Sequence, residues 1–429
     1  MDMIKALVFP CGSEIGLEIH EALKNIRFVE VHGASSVRDH GAFVYRNYHE
    51  GLPYLTDPRF KKELVKLIEE LGIDVVFPAL DSAVLELSRI ADDLPCKVIA
   101  SSYETAQICR SKELTYQVFH DCWFNPRSYA SNKEVDSYPV IIKPSVGQGS
   151  QGFKIIESED ELVFELKDRA DKQVICEYLP GEEYTIDCFT DRHGSLRYAS
   201  QRVRHRTKAG ISVNSYLTKP DDLVWGIAEL INLRMSMRGV WFFQLKRNGS
   251  GEYRLLEIAP RVAGTMCLER AIGVNLPLLS IFDALDYDVD ILPQFAECEV
   301  DRSFYNVFSV SCDYEHVYLD FDDTLVCDGK VNIDVVSFVY QCVNKGIPIT
   351  LLTRHTKNIK DSLAAAKISE DIFQRIVVLD DDQKKSSFIE GDKVLFVDDS
   401  FAERKEVAQN TNAIVLGLES LDVVMDRKA

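Results

Sequence analysis

The sequence predicts a multidomain protein of α/β and α+β structure, and three observations lead to this fold class. The chain has 429 residues, more than one hydrophobic core usually supports, since domains commonly hold about 100 to 200 residues. Apolar β-type runs alternate with helical runs near both ends, as in parallel sheets. Between them, strand-like runs separated by helices and glycine turns indicate antiparallel strands. We therefore expect domains over residues 1–100, 101–310 and 313–429.

The first region shows the βαβ pattern of a parallel sheet. Its strand-like runs are ALVFP, FVEVHG, DVVFPAL and KVIAS, and its helical runs include EIGLEIHEALKN and RFKKELVKLIEELG. Because each apolar run is followed by a helical one, the strands are expected to be parallel.

The other two regions have their own strand runs. The middle region contains YPVIIKP, QVICEYL, EYTIDCFTD, GVWFFQLKR and YRLLEIAP. The last region contains HVYLDFD, IPITLLT, RIVVLD, KVLFVDD and NAIVLG, again alternating with helices. A boundary is expected near residues 291–312, and the last region is expected to be a compact α/β domain.

Composition excludes several classes of function. A net charge of −19 argues against a broad nucleic-acid or anionic-membrane surface, which would need the opposite sign. No run approaches the roughly 18 apolar residues that span a bilayer, and the first residues lack the order of a signal peptide. The 11 cysteines are scattered singly, which favours reduced thiols. We expect a soluble, cytoplasmic protein.

A glycine-rich turn follows a buried strand that ends in Lys143. The turn carries Gly147, Gly149, Ser150 and Gly152. Glycines let backbone N–H groups converge on phosphate oxygens, and the lysine adds a positive charge. Taken alone, the segment is more typical of a glycine-rich hairpin turn with a solvated lysine than of a nucleotide site.

Later segments strengthen the phosphate interpretation. Gln244 and Glu257 fall on neighbouring predicted strands, and their oxygens are ligands that Mg²⁺ prefers. The basic segment Gln201–Ser212 either clamps a substrate carboxylate or phosphate or is a solvated, mobile loop. His205 within it is expected to be a bystander.

The order and spacing of these segments resemble the ATP-grasp superfamily, particularly its carbamoyl-phosphate-synthetase-like branch, from Lys5 to about Val310. The resemblance implies a Rossmann-like domain before the ATP-grasp fold and a carboxylate–amine ligase that uses ATP and Mg²⁺. It also implies roles for particular residues. By this resemblance Lys143 and Lys112 contact phosphates, and the loop from Gly147 to Gly152, with Gly149 and Ser150, closes over the triphosphate. Glu177 and Leu179 lie at the adenine hinge, and Glu183 lies at the ribose. Gln244 and Glu257 ligate Mg²⁺, and Arg261 meets the transferred phosphoryl group.

One position departs from the family pattern. Ala259 stands where many relatives have an asparagine, and alanine cannot ligate a metal, so a second Mg²⁺ site is expected to be weaker. Two alternatives remain open beside a ligase of a small carboxylate and an amine. One is an ATP-grasp kinase or carboxyphosphate-type enzyme that forms no amide, and the other is a nucleotide-responsive binding protein with one inactive site.

A second group of polar residues follows strands of the last region. Asp320 and Asp322 lie two apart at a strand end, and in an extended chain both face the same side. Thr353 ends another predicted strand, and a lysine pair and an aspartate pair come later along the chain. A carboxylate nucleophile, a second carboxyl that moves protons, and Mg²⁺ would make a phosphotransferase site.

These four parts resemble the haloacid dehalogenase superfamily, from about Tyr314 to Met425. The resemblance implies an HAD-like phosphatase acting on a phosphorylated small molecule. It assigns Asp320 as nucleophile, Asp322 as general acid/base and Thr353 as phosphate ligand. Lys385 or its neighbour Lys384 is the stabiliser of the phosphorylated intermediate. The Mg²⁺ site consists of Asp320, Asp322, Asp398 and Asp399. The intervals between the parts are too short for an inserted cap domain, so a capless, open site is expected. Homodimers are common among relatives of both regions.

Overall fold

The computed structural model describes residues 3–147, 152–167, 171–208, 210–293, 297–303, 308 and 313–426. The chain divides into two compact units, residues 1–304 and 305–428. No helix in these ranges combines the length and apolar character that crossing a bilayer requires. The helices are α1 (Glu14–Leu23), α2 (Gly41–Val44), α3 (Phe60–Leu71), α4 (Asp81–Arg89), α5 (Tyr103–Arg110), α6 (Lys112–Val118), α7 (Glu159–Lys167), α8 (Asp222–Met235), α9 (Cys267–Ala271), α10 (Leu276–Ala284), α11 (Ile333–Asn344), α12 (Ile359–Ala365) and α13 (Phe401–Asn410).

The strands build four sheets and one short hairpin. They are β1 (Ile4–Phe9), β2 (Val29–Ser35), β3 (Asn47–Glu50), β4 (Val75–Pro78), β5 (Lys97–Val98), β6 (Ser128–Tyr129), β7 (Val140–Pro144), β8 (Lys154–Ile156), β9 (Gln173–Glu177), β10 (Glu183–Thr190), β11 (Leu196–Lys208), β12 (Ile211–Thr218), β13 (Gly239–Arg247), β14 (Tyr253–Ala259), β15 (Glu299–Asp301), β16 (His316–Leu319), β17 (Val326–Cys327), β18 (Lys330–Val331), β19 (Ile349–Thr353), β20 (Arg375–Val378), β21 (Val394–Val397) and β22 (Ile414–Leu416).

The first sheet of unit 1 is parallel, with the order β3-β2-β1-β4-β5. Helix α1 begins where the Ser13 side chain accepts a hydrogen bond from the amide of Gly16. Helix α3 ends at Gly72, whose φ of 67° is a left-handed conformation that glycine adopts without strain. Helix α4 begins with Asp81, three residues after β4 ends. Asp81 therefore lies at the carboxyl edge of the sheet, where α/β folds bind ligands.

Two antiparallel sheets make up the rest of this unit. One has four strands in the order β6-β9-β7-β8, and the other has six in the order β14-β13-β10-β11-β12-β15. Helix α8 packs on the larger sheet through Val224, Ile227 and Ile231, in one apolar cluster with Trp241. The buried indole of Trp241 donates a hydrogen bond to Thr190 Oγ1 at 2.9 Å, so its polar atom is satisfied inside the core.

The second unit is a parallel sheet with the order β20-β19-β16-β21-β22 and one hairpin, β17–β18. Its core includes Leu319, Phe338, Leu351 and Val397, all essentially inaccessible to solvent. Strands β19, β16 and β21 are neighbours and run the same way. The residues that end or follow them therefore meet at one edge of the sheet.

Every strand run quoted from the sequence overlaps a strand of the structure, and the two quoted helical runs contain α1 and α3, so these predictions are confirmed. The loop interpretation of the basic segment is wrong, because most of it lies in β11 and β12, which pair as an antiparallel hairpin. The charged residues masked the β pattern there. Short strands such as β3 and β6 were also not predicted, since two to four residues carry too little periodicity.

Candidate active sites

A cavity of about 270 Å³ in the first unit gathers most of the residues predicted to handle a nucleotide. The lining comes mainly from the first residue of α6, from β7, from the segment after β9, and from strands β10, β11, β13 and β14. The lining residues are Lys112, Ile141, Lys143, Pro144, Gly147, Phe153, Tyr178, Leu179, Glu183, Arg204, Gly210, Gln244, Lys246, Leu256 and Glu257. The cavity therefore brings together side chains that lie up to 145 residues apart, from Lys112 to Glu257.

Two lysines supply positive charge to this cavity. The ammonium of Lys143, on β7, donates a 2.7 Å hydrogen bond to the hydroxyl of Tyr116. Burial raises the pKa of Tyr116 to about 12, so its hydroxyl is neutral at physiological pH and can accept this bond. Lys112 begins α6, where Ser111 caps the helix. Burial lowers the pKa of Lys112, and Glu257 opposes that shift.

Gln244 and Glu257 lie directly opposite each other on β13 and β14. Directly paired residues of an antiparallel sheet have neighbouring side chains, so both oxygens reach the same part of the cavity. Ala259, two residues further on β14, is buried and pairs with Phe242. An alanine there provides no ligand atom, as the sequence predicts.

The residues predicted at the hinge and ribose occupy different environments. Leu179 and Glu183 line the cavity. The carboxylate of Glu177 instead accepts hydrogen bonds from the backbone amide of Arg127 at 2.8 Å and from Arg254 Nε at 3.2 Å. It therefore fixes the end of β9.

The glycine-rich loop is described only at its two ends. Gly147 lines the cavity and Gly152 has a positive φ of 71°. Gly149 and Ser150 lie outside the described residues. Arg110 reaches the near end of this loop, where its Nη1 donates to the carbonyl of Gly147 at 3.2 Å.

The arginines of the basic segment have separate partners within the chain, and a substrate clamp formed by this segment stays a prediction. Arg202 is buried and binds both carboxylate oxygens of Asp187, at 2.6 and 3.2 Å. Arg206 pairs with Asp301 near the surface. Arg204 alone of the three lines the cavity. It contacts Glu183, Gln244 and the carbonyl of Gly210.

Arg261 lies next to the main cavity, in a smaller one of about 30 Å³ that shares Lys112, Gly147 and Glu257 with it. The Nε of Arg261 donates to Asp81 Oδ1 at 2.5 Å. Burial opposes ionisation of Asp81, but Arg261, Arg110 and Lys112 lower its pKa overall. Sequence reasoning missed Asp81, Arg110 and Tyr116. The only available signal was the aspartate that follows the predicted strand run in FPALDS.

The second unit places a buried lysine between two carboxylates. The ammonium of Lys385 lies 2.7 Å from Asp320 Oδ1 and 2.6 Å from Asp398 Oδ2. Burial raises the pKa of Asp320 to about 6, although Lys385 opposes the shift. The sequence did not decide which of Lys384 and Lys385 stabilises the intermediate. In the structure Lys385 is part of this cluster and Lys384 is exposed.

Carboxylate oxygens of Asp320, Asp398 and Asp399 lie within 4.8 Å of one another. Thr353 ends β19 beside them, and its buried hydroxyl has no hydrogen-bond partner among the described residues. Buried hydroxyls are usually satisfied, so a donor and acceptor position is open at this edge of the sheet.

Asp322 departs from the predicted arrangement. The strand ends at Leu319 and the chain turns, with Asp323 at a φ of 56°, so Asp320 and Asp322 do not continue one extended strand. The side chain of Asp322 is absent from the three-carboxylate cluster and is 52% exposed. Its oxygens lie 2.9 Å from Nδ1 of His355, a residue that sequence reasoning did not identify.

Comparisons with known proteins bear on the first unit. Residues 169–302 match the family model described as "ATP-grasp in the biosynthetic pathway with Ter operon". The chain is 21% identical over 243 residues to the arginine-specific carbamoyl phosphate synthase large chain of Bacillus subtilis, covering 51% of this chain and 23% of that one. It is 29% identical over 166 residues to the D-alanine–D-alanine ligase of Fusobacterium nucleatum, covering 36% and 58%.

A solved structure shows the same fold. The biotin carboxylase domain of Hydrogenobacter thermophilus 2-oxoglutarate carboxylase, in complex with MgADP and bicarbonate, aligns with a TM-score of 0.57 at 14% identity, covering 68% of this chain and 72% of that one. The chain spans only about a quarter of the length of the first carbamoyl phosphate synthases it matches, 23% and 28%. Together these likenesses support the ATP-grasp superfamily and a mixed α/β fold.

Proposed function

We propose that residues 1–304 join a small carboxylic acid to an amine through an acyl phosphate, at the expense of ATP. The observation that carries the proposal is the convergence of Lys112, Lys143, Gln244 and Glu257 on one cavity. These are the cations and oxygen ligands that a metal-bound triphosphate needs. ATP-grasp ligases as a class form carbon–nitrogen bonds and release ADP, and a D-alanine–D-alanine ligase is among the similar proteins.

The cavity has separate parts for the base and for the phosphates. Ile141, Leu179 and Leu256 provide apolar contacts for an adenine ring, and Glu183 is available to the ribose hydroxyls. We assign Glu177 to the hinge as a residue that holds the backbone in place, because its carboxylate is already hydrogen-bonded within the chain.

Lys143 and Lys112 are proposed to bind the triphosphate. Lys143 is buried and Lys112 is half-buried, and shielding from water strengthens their attraction to phosphate oxygens. The loop from Gly147 to Gly152, with Gly149 and Ser150, is proposed to cover the phosphates.

Gln244 and Glu257 fit a Mg²⁺ ion, since each offers a side-chain oxygen and the two lie opposite each other. A bound Mg²⁺ would neutralise charge on the phosphates. Arg204 now shares Gln244 Oε1, at 3.2 Å, so this arginine competes with an ion for that oxygen. Ala259 contributes no ligand.

Arg261 is proposed to meet the transferred phosphoryl group and the acid substrate. The carboxylate oxygen attacks the γ-phosphorus, the bond to the β-γ bridging oxygen breaks, and ADP leaves. The amine then attacks the acyl carbon, the bond from that carbon to the phosphate oxygen breaks, and phosphate leaves with the proton that the amine loses. The small cavity is lined by three cationic side chains, those of Arg261, Lys112 and Arg110. Their positive charge stabilises the substrate carboxylate and the transferred phosphoryl group.

We also propose that the second unit is an HAD-like, capless phosphatase for a phosphorylated small molecule. Lys385 lies between Asp320 and Asp398, and the hydroxyl of Thr353 beside them has no partner in the part of the chain that the structure describes. Both observations support this proposal. Asp320, Asp398 and Asp399 have the oxygen ligands that suit Mg²⁺, which would reduce repulsion between the carboxylates and a phosphate.

The phosphatase reaction has two steps in this proposal. Asp320 attacks phosphorus, the bond to the leaving oxygen breaks, and Asp322 gives that oxygen a proton. Water then attacks phosphorus, Asp322 takes the proton, and the bond to Asp320 breaks to release phosphate. Thr353 and Lys385 hold the phosphate oxygens in both steps.

The ligase proposal is tested by ADP release from the full chain with Mg²⁺ and ATP. A panel of carboxylic acids is crossed with amino acids, and the products are identified by mass spectrometry. Amine-dependent ADP release with a product at the dehydrated mass supports the ligase. ADP release that needs one compound alone would replace the ligase with a kinase, and tight ATP binding without turnover would favour a nucleotide-responsive binding protein.

A further inference from the structure

We propose that His355 is a positioning residue that holds Asp322 in its working orientation, and that Ser362 fixes His355 in turn. The inference rests on the proposed phosphatase function of the second unit. It adds to that site a residue outside the four parts read from the sequence. It is carried by the contacts of His355 on both of its ring nitrogens.

The imidazole of His355 bridges two elements of the site. Its Nδ1 lies 2.9 Å from Oδ1 and 2.9 Å from Oδ2 of Asp322. Its Nε2 lies 2.7 Å from the hydroxyl oxygen of Ser362, on α12. When Nδ1 carries the proton, it donates to the carboxylate and Nε2 accepts the Ser362 hydroxyl, so both contacts are satisfied in one tautomer.

The surroundings leave the imidazole little freedom. Its side chain is 9% exposed, whereas that of Asp322 is 52% exposed. The ring meets the ring of Phe321 edge-on, with the centroids 4.9 Å apart. His355 is therefore the buried, fixed member of the pair, and Asp322 is the exposed member that needs a partner to keep one orientation.

The position of Asp322 explains why it needs this partner. It lies in a turn after β16, and one isolated bridge to Val326 marks its backbone. A half-exposed carboxylate has several side-chain orientations. An acid or base contributes to a reaction only when it lies within hydrogen-bonding reach of the proton it moves.

The contact is expected to matter most in the second step. There the carboxylate of Asp322 accepts a proton from the attacking water while the bond between phosphorus and Asp320 breaks. A carboxylate that rotates away leaves this water without a base, so the aspartyl phosphate on Asp320 should persist. Hydrogen bonding to both oxygens restrains that rotation.

The test uses the full chain with Mg²⁺ and p-nitrophenyl phosphate as the substrate. We expect His355→Ala to lower kcat about 10- to 100-fold, since proton transfer by a positioned group contributes roughly 10² to 10⁴. KM should fall together with kcat, because slow hydrolysis of the aspartyl phosphate leaves kcat/KM, which the first step sets, nearly unchanged. His355→Asn keeps an N–H near the position of Nδ1 and should recover much of the loss. Ser362→Ala should have a smaller effect in the same direction. Lys357→Ala changes an exposed side chain of the same loop and serves as the control.

A second readout separates positioning from general damage. After acid quenching, mass spectrometry should find phosphorylated Asp320 in His355→Ala and much less phosphorylated Asp320 in the wild-type protein. The positioning role of His355 would be overturned, and the phosphatase proposal left standing, by either of two results. One is a kcat of His355→Ala equal to that of the wild-type protein, and the other is a loss in His355→Asn as large as in His355→Ala. If the wild-type protein is as inactive as Asp320→Asn, the phosphatase proposal is overturned, and the role of His355 with it.

Discussion

Arg261 and Asp81 form a 2.5 Å hydrogen-bonded ion pair between residues 180 positions apart. Arg261 follows β14 of the antiparallel sheet, and Asp81 begins α4 at the carboxyl edge of the parallel sheet. The pair therefore joins the two parts of the first unit beside the proposed site of phosphoryl transfer. It indicates that the parallel sheet contributes directly to that site.

We predict that Asp81→Asn lowers kcat for ADP release by about 10- to 100-fold, because a small misplacement of a charged group at a reacting centre has effects of this order. The KM for ATP should change little, since Asp81 does not line the larger cavity. Steady-state kinetics with the acid and amine found in the panel provide the measurement. Asp93→Asn, which affects only an exposed pair with Lys61, is the control. Equal losses in both variants would contradict the role of Asp81.

The two proposed sites should be separable by substitution. Lys143→Ala or Glu257→Ala should reduce ADP release by at least about 100-fold, because Lys143 is proposed to bind the phosphates directly and Glu257 to hold the Mg²⁺ that neutralises them. Both variants should keep their activity on p-nitrophenyl phosphate. Asp320→Asn should do the reverse. If one of these substitutions abolishes both activities in a protein that remains folded, the two-site account is wrong.

Removing the buried arginine should destabilise the protein rather than change substrate binding. Arg202→Met leaves Asp187 as a buried, unpaired charge, which typically costs about 3 to 5 kcal/mol. Arg206→Ala breaks an exposed pair and should cost less than about 1 kcal/mol. Thermal unfolding of both variants measures the difference. An unchanged melting temperature in Arg202→Met would contradict a structural role.

The stability of the first unit should depend on the protonation of Glu269. This side chain is buried and accepts a 2.5 Å hydrogen bond from the hydroxyl of Tyr198. Burial, with repulsion from Asp187, raises its pKa from 4.5 to about 7. Between pH 4.5 and 7 the folded state therefore binds more protons than the unfolded state, and the free energy of unfolding falls as pH rises.

Glu269→Gln removes this titration. The melting temperature of the variant relative to the unchanged protein should therefore increase from pH 5 to pH 8. Scanning calorimetry at several pH values provides the measurement. A constant difference across this range would show that Glu269 does not titrate there.

The sequence alone predicted the strands and site residues that depend on the pattern of neighbouring residues. The run before Lys143 is apolar and flanked by turn residues, so its strand and the lysine at its end follow from residue pattern alone. The pairing of Gln244 with Glu257 also follows, since both lie on long, clearly patterned strands. Asp320, Thr353 and Asp398 were identifiable because each comes at the end of an apolar strand.

The remaining features depend on contacts between distant segments. Arg202 and Arg204 are two residues apart, yet one is buried against Asp187 and the other lines the cavity, and a hairpin register decides which. Asp81 and His355 gain their significance only from partners far along the chain. No pattern of neighbouring residues encodes such a pairing.

The most direct test of the central claim follows oxygen from the acid to phosphate. The substrate carboxylate is labelled with ¹⁸O, and the reaction with ATP and the amine is run in the Asp320→Asn background, so that the second site does not act on the products. Attack of the carboxylate on the γ-phosphorus predicts one ¹⁸O in each released phosphate and its loss from the amide product. Amide formation with only unlabelled phosphate would contradict an acyl phosphate intermediate.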